Sequence, residues 1–208
     1  MKLRLATLTG RNVVPLLPEL ARLCTVVFRD WPHLYDGDGR YDADHLQALA
    51  ASPRSALIVA FDGETPVGAS TCLPLMDATA NIRAPFLARA WTVERFFYLA
   101  ESVLLPAYRG HGIGAAFFVL REAHIRAVSI CDFACFCAIE RPDDHPRRPA
   151  AAAPLDAFWR RRDYTPVPDF RCTMRWKEID QAAESEMILQ IWIKSLTGAA
   201  LPHGACSE

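Results

Sequence analysis

The sequence has no dominant charge: its 208 residues carry 23 Lys and Arg against 24 Asp and Glu, a formal net charge of −1. That balance sets up no global field to draw the chain onto nucleic acid or an anionic membrane. No apolar run approaches the roughly 18 residues of a membrane span. The opening Met1-Lys2-Leu3-Arg4 is soon followed by Arg11, Pro15, Pro18 and Glu19, which does not suit a signal peptide. Seven cysteines occur without a Cys-x-x-Cys pair, so neither a zinc knuckle nor a dithiol redox motif is indicated. Cys131, Cys135 and Cys137 lie in an apolar run and read as small hydrophobes. Internal repeats and linkers are also missing. These absences suit a soluble, cytoplasmic protein with reduced thiols, no nucleic-acid partner and no membrane partner.

Hydrophobic residues make up 51% of the chain and charged residues 23%, enough to build a substantial core. Residues 3–8 suit a short strand, and 13–27 carry apolar residues at helical spacing, with Pro15 and Pro18 confined to the first turn. A polar, aromatic loop spans 29–42, and Asp42 or Asp44 suits the cap of a second helix ending near Ala51. Ala56–Phe61 and Val67–Leu75 flank Asp62-Gly63, a hairpin pattern. Residues 77–94 fit either a helix or a long loop. Phe96–Leu105 (FFYLAESVLL) reads as a strand stopped by Pro106. The period then becomes helical over 112–127, with Ile113, Ala116, Phe117, Leu120, His124 and Ala127 on one face. Glu122 and Arg126 are expected as a pair on the outer face. A strand within 129–139, a short helix at 155–162 and two strands, 170–178 and 187–196, complete the order. The expectation is one mixed α/β domain over residues 1–196 with a parallel crossover in its middle, and a flexible tail at 197–208.

The stretch that carries chemistry is Pro106-Ala107-Tyr108-Arg109-Gly110-His111-Gly112-Ile113-Gly114-Ala115, between the clearest strand and the clearest helix. Three glycines at a strand-to-helix turn let backbone N–H groups converge, and the positive helix end favours an anion there. Arg109 adds a planar cation suited to phosphate oxygens. The implied chemistry is a polyphosphate cradle. Gly110, Gly112 and Ala115 also satisfy a dinucleotide pattern, with Asp132 at a suitable distance. That pattern should follow its strand directly, whereas Pro106 to Arg109 intervene here.

Arg109-Gly110-His111-Gly112-Ile113-Gly114 resembles the R/Q-x-x-G-x-G/A signature of the GNAT superfamily of acyl-CoA-dependent N-acyltransferases. The order of elements resembles that family from about residue 3 to 196. The resemblance implies a single-domain α/β fold, with a mixed, largely antiparallel sheet, a central parallel strand–helix–strand crossover and flanking helices. It implies acetyl-CoA as cosubstrate, its pyrophosphate on Arg109, Gly110, His111, Gly112, Ile113, Gly114 and Ala115. It also implies backbone bonds from Val103, Leu104 and Leu105 to the pantetheine arm. The activity implied is transfer of the acetyl group to a primary amine, here expected to be a small molecule, by direct attack. A non-catalytic acyl-CoA sensor is the alternative.

Glu101, the one charged residue in FFYLAESVLL, is the candidate base, since burial raises a carboxyl pKa towards neutrality. Tyr98 falls on the opposite face of a regular strand, unless a bulge of the kind common in this family intervenes. The tyrosine that many family members place in the short helix falls on Trp159, which cannot protonate a thiolate. Tyr164 is therefore kept as a candidate acid, beside a packing role. Trp31, Tyr35 and Asp36, with Asp30, Asp38 and Tyr41 nearby, combine aromatics and carboxylates suited to a cationic amine. The segment from Asp77 to Trp91 could form another wall. Arg147 and Arg148 suit either a coenzyme 3′-phosphate or solvent. Asp143, Asp144 and His145 suit capping or ion pairing better than a metal site. Met187–Leu196 is apolar enough either for a homodimer edge or for an internal strand.

Overall fold

Seven strands form one sheet in the computed structural model, which describes residues 2–37 and 43–202. The strands are β1 (Leu3–Thr9), β2 (Ala56–Asp62), β3 (Thr65–Pro74), β4 (Phe96–Leu104), β5 (Phe133–Ile139), β6 (Thr165–Lys177) and β7 (Glu184–Ser195). Their spatial order is β1-β2-β3-β4-β5-β7-β6, and every neighbouring pair is antiparallel except β4 with β5. The helices are α1 (Leu17–Phe28), α2 (Ala43–Ala51), α3 (Ala80–Ala88), α4 (Ile113–Val128) and α5 (Asp156–Arg160). Asp38, Tyr41 and Asp42 lie outside the described residues.

The core has two sides because both faces of the central strands are apolar. On one face, Leu57, Val59, Ala69 and Val103 take Leu20, Leu23 and Cys24 of α1. Further along that face, Leu73, Phe96, Phe133 and Ile191 take Ile82 and Phe86 of α3. On the other face, Ile58, Phe97, Leu99 and Phe136 take Ile113, Phe117 and Ile125 of α4. Burying Leu20 or Leu23, each about 1% exposed, contributes about 2 kcal/mol. Residues 77–94 resolve into a turn and α3, a nine-residue helix that tolerates Pro85 in its interior. Ala199 and Leu201, after β7, pack against the core; residues 203–208 lie outside the described residues.

One expectation is corrected and one pair of alternatives is decided. The buried stripe of α4 is Ile113, Phe117, Phe118, Arg121, Glu122 and Ile125, so Arg121 and Glu122 turn inward, while His124 is half-buried with its ring centre 6.3 Å from that of Phe97 and Ala127 is exposed. The Glu122–Arg126 pair forms at 3.3 Å, but Glu122 is 7% exposed and also accepts from Lys194 Nζ (3.0 Å) and the Tyr164 hydroxyl (3.2 Å). A carboxylate can be held inside because these donors replace its water. Arg121, 1% exposed, donates to the Phe117 carbonyl at 3.3 Å and sets its guanidinium 4.7 Å from the Phe118 ring centre. Of the two alternatives for Met187–Leu196, the structure shows the internal strand. It belongs to β7, which lies between β5 and β6 and has no free edge for a second copy.

Candidate active site

The loop between β4 and α4 begins with a single 3₁₀ turn, Pro106–Tyr108. Gly110 and Gly112 then take φ of +82° and +78°, the left-handed region that L side chains avoid. A Cβ at either position would meet nothing within 4 Å, so open space lies over both. Ala116 N bonds to Gly112 O at 3.0 Å, the first rung of the α4 ladder. The amides of Ile113, Gly114 and Ala115 precede that rung and have no helical partner. Arg109 is exposed beside them, its Nε donating to the Leu104 carbonyl at 3.3 Å. His111 folds back on the loop, its Nδ1 3.0 Å from the Arg109 carbonyl and 3.3 Å from that of Tyr108. Tyr108 donates to Asp62 at 3.1 Å and so ties the loop to the end of β2. The Lys2 amide and then the Tyr108 hydroxyl hold the Asp62 carboxyl below its usual range. These features make a cradle whose amides and guanidinium are chemically suited to an anion, with room over its glycines.

Beside the cradle the sheet parts. β4 and β5 pair only over Phe96–Tyr98 and Phe133–Cys135. Beyond that, β4 stays with β3 as far as Leu104, while β5 stays with β7 as far as Ile139. The β5-facing edge of β4, which includes the backbone of Val103 and Leu104, therefore lies along a cleft. Gly68 is needed where β3 crosses this region, since a Cβ there would sit 2.9 Å from the Val103 carbonyl oxygen. The expected bulge is present: Ser70 pairs with Ser102 but Cys72 pairs with Leu99, so two β4 residues oppose Thr71. The extra residue turns Tyr98 and Glu101 to the same side of the sheet.

That side holds a cavity of about 670 Å³, lined by Tyr98, Ala100 and Glu101 of β4 and Cys137 of β5. Glu101 is 7% exposed and accepts a short hydrogen bond from the Thr71 hydroxyl. No cationic side chain among the described residues pairs with it. The Tyr98 hydroxyl lies within hydrogen-bond reach of the Cys137 thiol. That thiol also meets Cys172 Sγ at 3.2 Å, and this contact and burial push its pKa up.

The α1–α2 loop closes the cavity through His33, Tyr35 and Asp36. It is sewn onto the end of β6. Tyr35 bridges Glu178, Asp36 N bonds to Lys177 O (2.8 Å), and the Trp176 indole donates to the His33 carbonyl (3.0 Å). Arg141 donates to the carbonyls of Pro32 (2.8 Å) and His33 (3.0 Å) and pairs with Glu178. The His33 imidazole packs tilted against Phe28 with ring centres 4.2 Å apart, and burial, then the Arg141 charge, lowers its pKa to about 4. Lys177 and Arg29 each hydrogen-bond Asp36 at 2.8 Å and hold its carboxyl below the usual range. A Cβ at Gly37 would fall 2.0 Å from the far end of the Tyr35 ring, so a larger residue there would displace that ring.

The cavity thus brings together Glu101, Tyr98, Tyr35 and Asp36. Trp31 is not among its lining residues and packs its ring 5.1 Å from His145. Tyr164 also lies elsewhere, 0% exposed beneath α4 and donating to Glu122, with its pKa pushed well up by burial. Trp159 packs against Trp192 and Phe136. Arg147 pairs with Asp180 and Arg148 with Asp143. Asp132 pairs with Arg95 at 2.7 Å and accepts from Thr197 at 2.9 Å, so it serves the base of the sheet. Sequence reasoning missed His33, Cys137, Met174 and Trp176, which come from three separate segments and form no motif.

No protein-family model matches the sequence, and no curated protein matches it. Solved structures do match. Arabidopsis thaliana NAA60 in complex with acetyl-CoA aligns with a TM-score of 0.58 at 13% identity, covering 94% of this chain and 100% of that one. An aminoglycoside 6′-N-acetyltransferase complexed with coenzyme A gives 0.56 at 13% identity, covering 95% and 99%. The PaiA N-acetyltransferase of Thermoplasma acidophilum, in complex with coenzyme A, gives 0.53 at 10% identity, covering 94% and 99%. With its one parallel pair, its parted β4 and β5 and its glycine-rich loop before α4, the chain has the fold of the GNAT superfamily.

Proposed function

We propose that the protein transfers an acetyl group from acetyl-CoA to a primary amine by direct attack within a ternary complex. One observation carries the reading: β4 parts from β5 beside a glycine-rich, amide-lined loop and a cavity whose buried Glu101 carboxylate has no cationic partner among the described residues. In this reading Arg109, His111 and the backbone from Gly110 to Ala115 take the pyrophosphate. The β5-facing edge of β4 at Val103 and Leu104, with Leu105 just beyond it, takes the pantetheine arm as an added strand would. The amine nitrogen attacks the thioester carbonyl, the C–S bond breaks, and the nitrogen's proton passes to Glu101. Tyr98 stands on the same side of the sheet and supplies a hydroxyl for the developing oxyanion or the departing thiolate. Tyr164, engaged with Glu122, takes no part. Both coenzyme-bound neighbours and the acetyl-CoA-bound NAA60 support the choice of cosubstrate.

Trp159, standing where many family members have a tyrosine, favours one alternative, a sensor that binds acyl-CoA without turning it over. Free thiol is the test. The protein with acetyl-CoA and a panel of primary amines should release coenzyme A only when an amine is present, with the matching acetylamide detected by mass. Acetyl-CoA binding without amine-dependent thiol release would favour the sensor.

A further inference from the structure

The walls of the cavity bear on the acceptor, an inference that rests on the acetyltransfer reading. Phe28, Tyr35, Tyr98 and Trp176 supply rings, and Met174 and Leu189 supply aliphatic surface. Trp176 and Leu189 are buried. The charges near them are largely spoken for. Lys177 and Arg29 neutralise Asp36, and the Glu184 carboxylate is exposed at the rim, where water solvates it; Arg175 bonds only the Glu184 backbone carbonyl, at 3.4 Å. His33 is neutral at physiological pH, since its pKa is lowered to about 4, so it adds no cation to this wall. Glu101 remains as a buried carboxylate that faces the cavity and has no cationic partner among the described residues.

One buried negative charge answers one positive charge. A ring or branched chain beside it gains from leaving water and from contact with aromatic faces. A polyamine or aminosugar would carry further ammonium groups among Phe28, Trp176 and Leu189, where no carboxylate meets them, and burying an unpaired charge is costly. The volume of about 670 Å³ lies in the range of small-molecule sites. We propose that the acceptor is a monoamine with an aromatic or bulky aliphatic body, its amine at Glu101 and its body among Phe28, Tyr35, Tyr98 and Trp176.

The test compares 2-phenylethylamine, spermidine and kanamycin as acceptors with acetyl-CoA, reading thiol release, together with calorimetric titration of each amine into the protein saturated with coenzyme A. The expected result is a kcat/KM for 2-phenylethylamine about ten- to a hundred-fold above that for spermidine or kanamycin. Tyr35→Ala should shrink that ratio several-fold while leaving the acetyl-CoA-induced rise in Tm intact. The comparison among amines on the unaltered protein stands even if the variant does not fold. Preference for spermidine or kanamycin, or failure of 2-phenylethylamine both to bind and to react, overturns the proposal while acetyl-CoA binding stands. Absence of acetyl-CoA binding overturns the acetyltransfer reading and the acceptor proposal with it.

Discussion

Gly112→Ala separates the two properties that meet in the cradle. Gly112 sits at φ +78°, and holding an L residue there costs about 1–2 kcal/mol. A chain of this size should lose about 2–8 °C in Tm. No clash adds to that cost, because the new methyl meets nothing within 4 Å. If phosphate oxygens occupy that open space, the methyl displaces them from the amides of Ile113 and Gly114. Losing one such charge-assisted bond, about 1.5–3 kcal/mol, weakens coenzyme A binding by about ten- to a hundred-fold. Gly198 is the matched control: its φ is +83°, it too has nothing within 4 Å, and it lies after β7, near the Thr197–Asp132 contact. Gly198→Ala should therefore lose comparable stability and bind coenzyme A as the unaltered protein does. Urea denaturation gives the first quantity and calorimetric titration the second. Undiminished coenzyme A affinity in Gly112→Ala would refute the placement of phosphate over the glycine.

Arg109→Glu replaces an exposed cation at the cradle with an anion; coenzyme A affinity should fall at least ten-fold by calorimetry, while Tm without ligand changes little. Glu101→Gln keeps the shape and the Thr71 contact but cannot take a proton; kcat should fall about 10²- to 10⁴-fold with the acetyl-CoA Kd unchanged. The His33 pKa lies at about 4 in the folded chain against about 6.5 unfolded, so folding favours the neutral ring. Its contribution is intact above pH 6.5 and is lost as pH falls towards 4, at a cost of about 3 kcal/mol. Urea midpoints across that window should fall for the unaltered protein and fall less for His33→Gln.

Much of the frame was legible because punctuation and periodicity agree. Pro106 and the glycines at 110, 112 and 114 mark a strand-to-helix turn, and Asp62-Gly63 marks the hairpin that Gly63 closes at φ +59°. Three things were not legible. Pro85 argues locally against a helix, yet α3 forms because Ile82 and Phe86 bury against the sheet. Arg121 and Glu122 read as polar positions, so the inward face of α4 was misplaced; only Lys194 and Tyr164, about seventy and forty residues on, explain why Glu122 can be buried. The bulge opposite Thr71 leaves no mark in FFYLAESVLL, although it decides that Tyr98 and Glu101 share a side. The cavity depends on similarly distant partners. Arg141 positions its loop through the carbonyls of Pro32 and His33, backbone contacts that no residue pattern records.

The central claim is that the cradle beside the parted strands binds acyl-CoA, and a thermal-shift titration tests it most directly. Acetyl-CoA and coenzyme A would be compared with NADH and ATP on the unaltered protein. At a hundred times Kd, mass action should stabilise the fold by about 2.7 kcal/mol. The account predicts a saturable rise in Tm with acetyl-CoA and with coenzyme A, and none of that size with NADH or ATP. No rise with either coenzyme, or an equal rise with NADH, would contradict it.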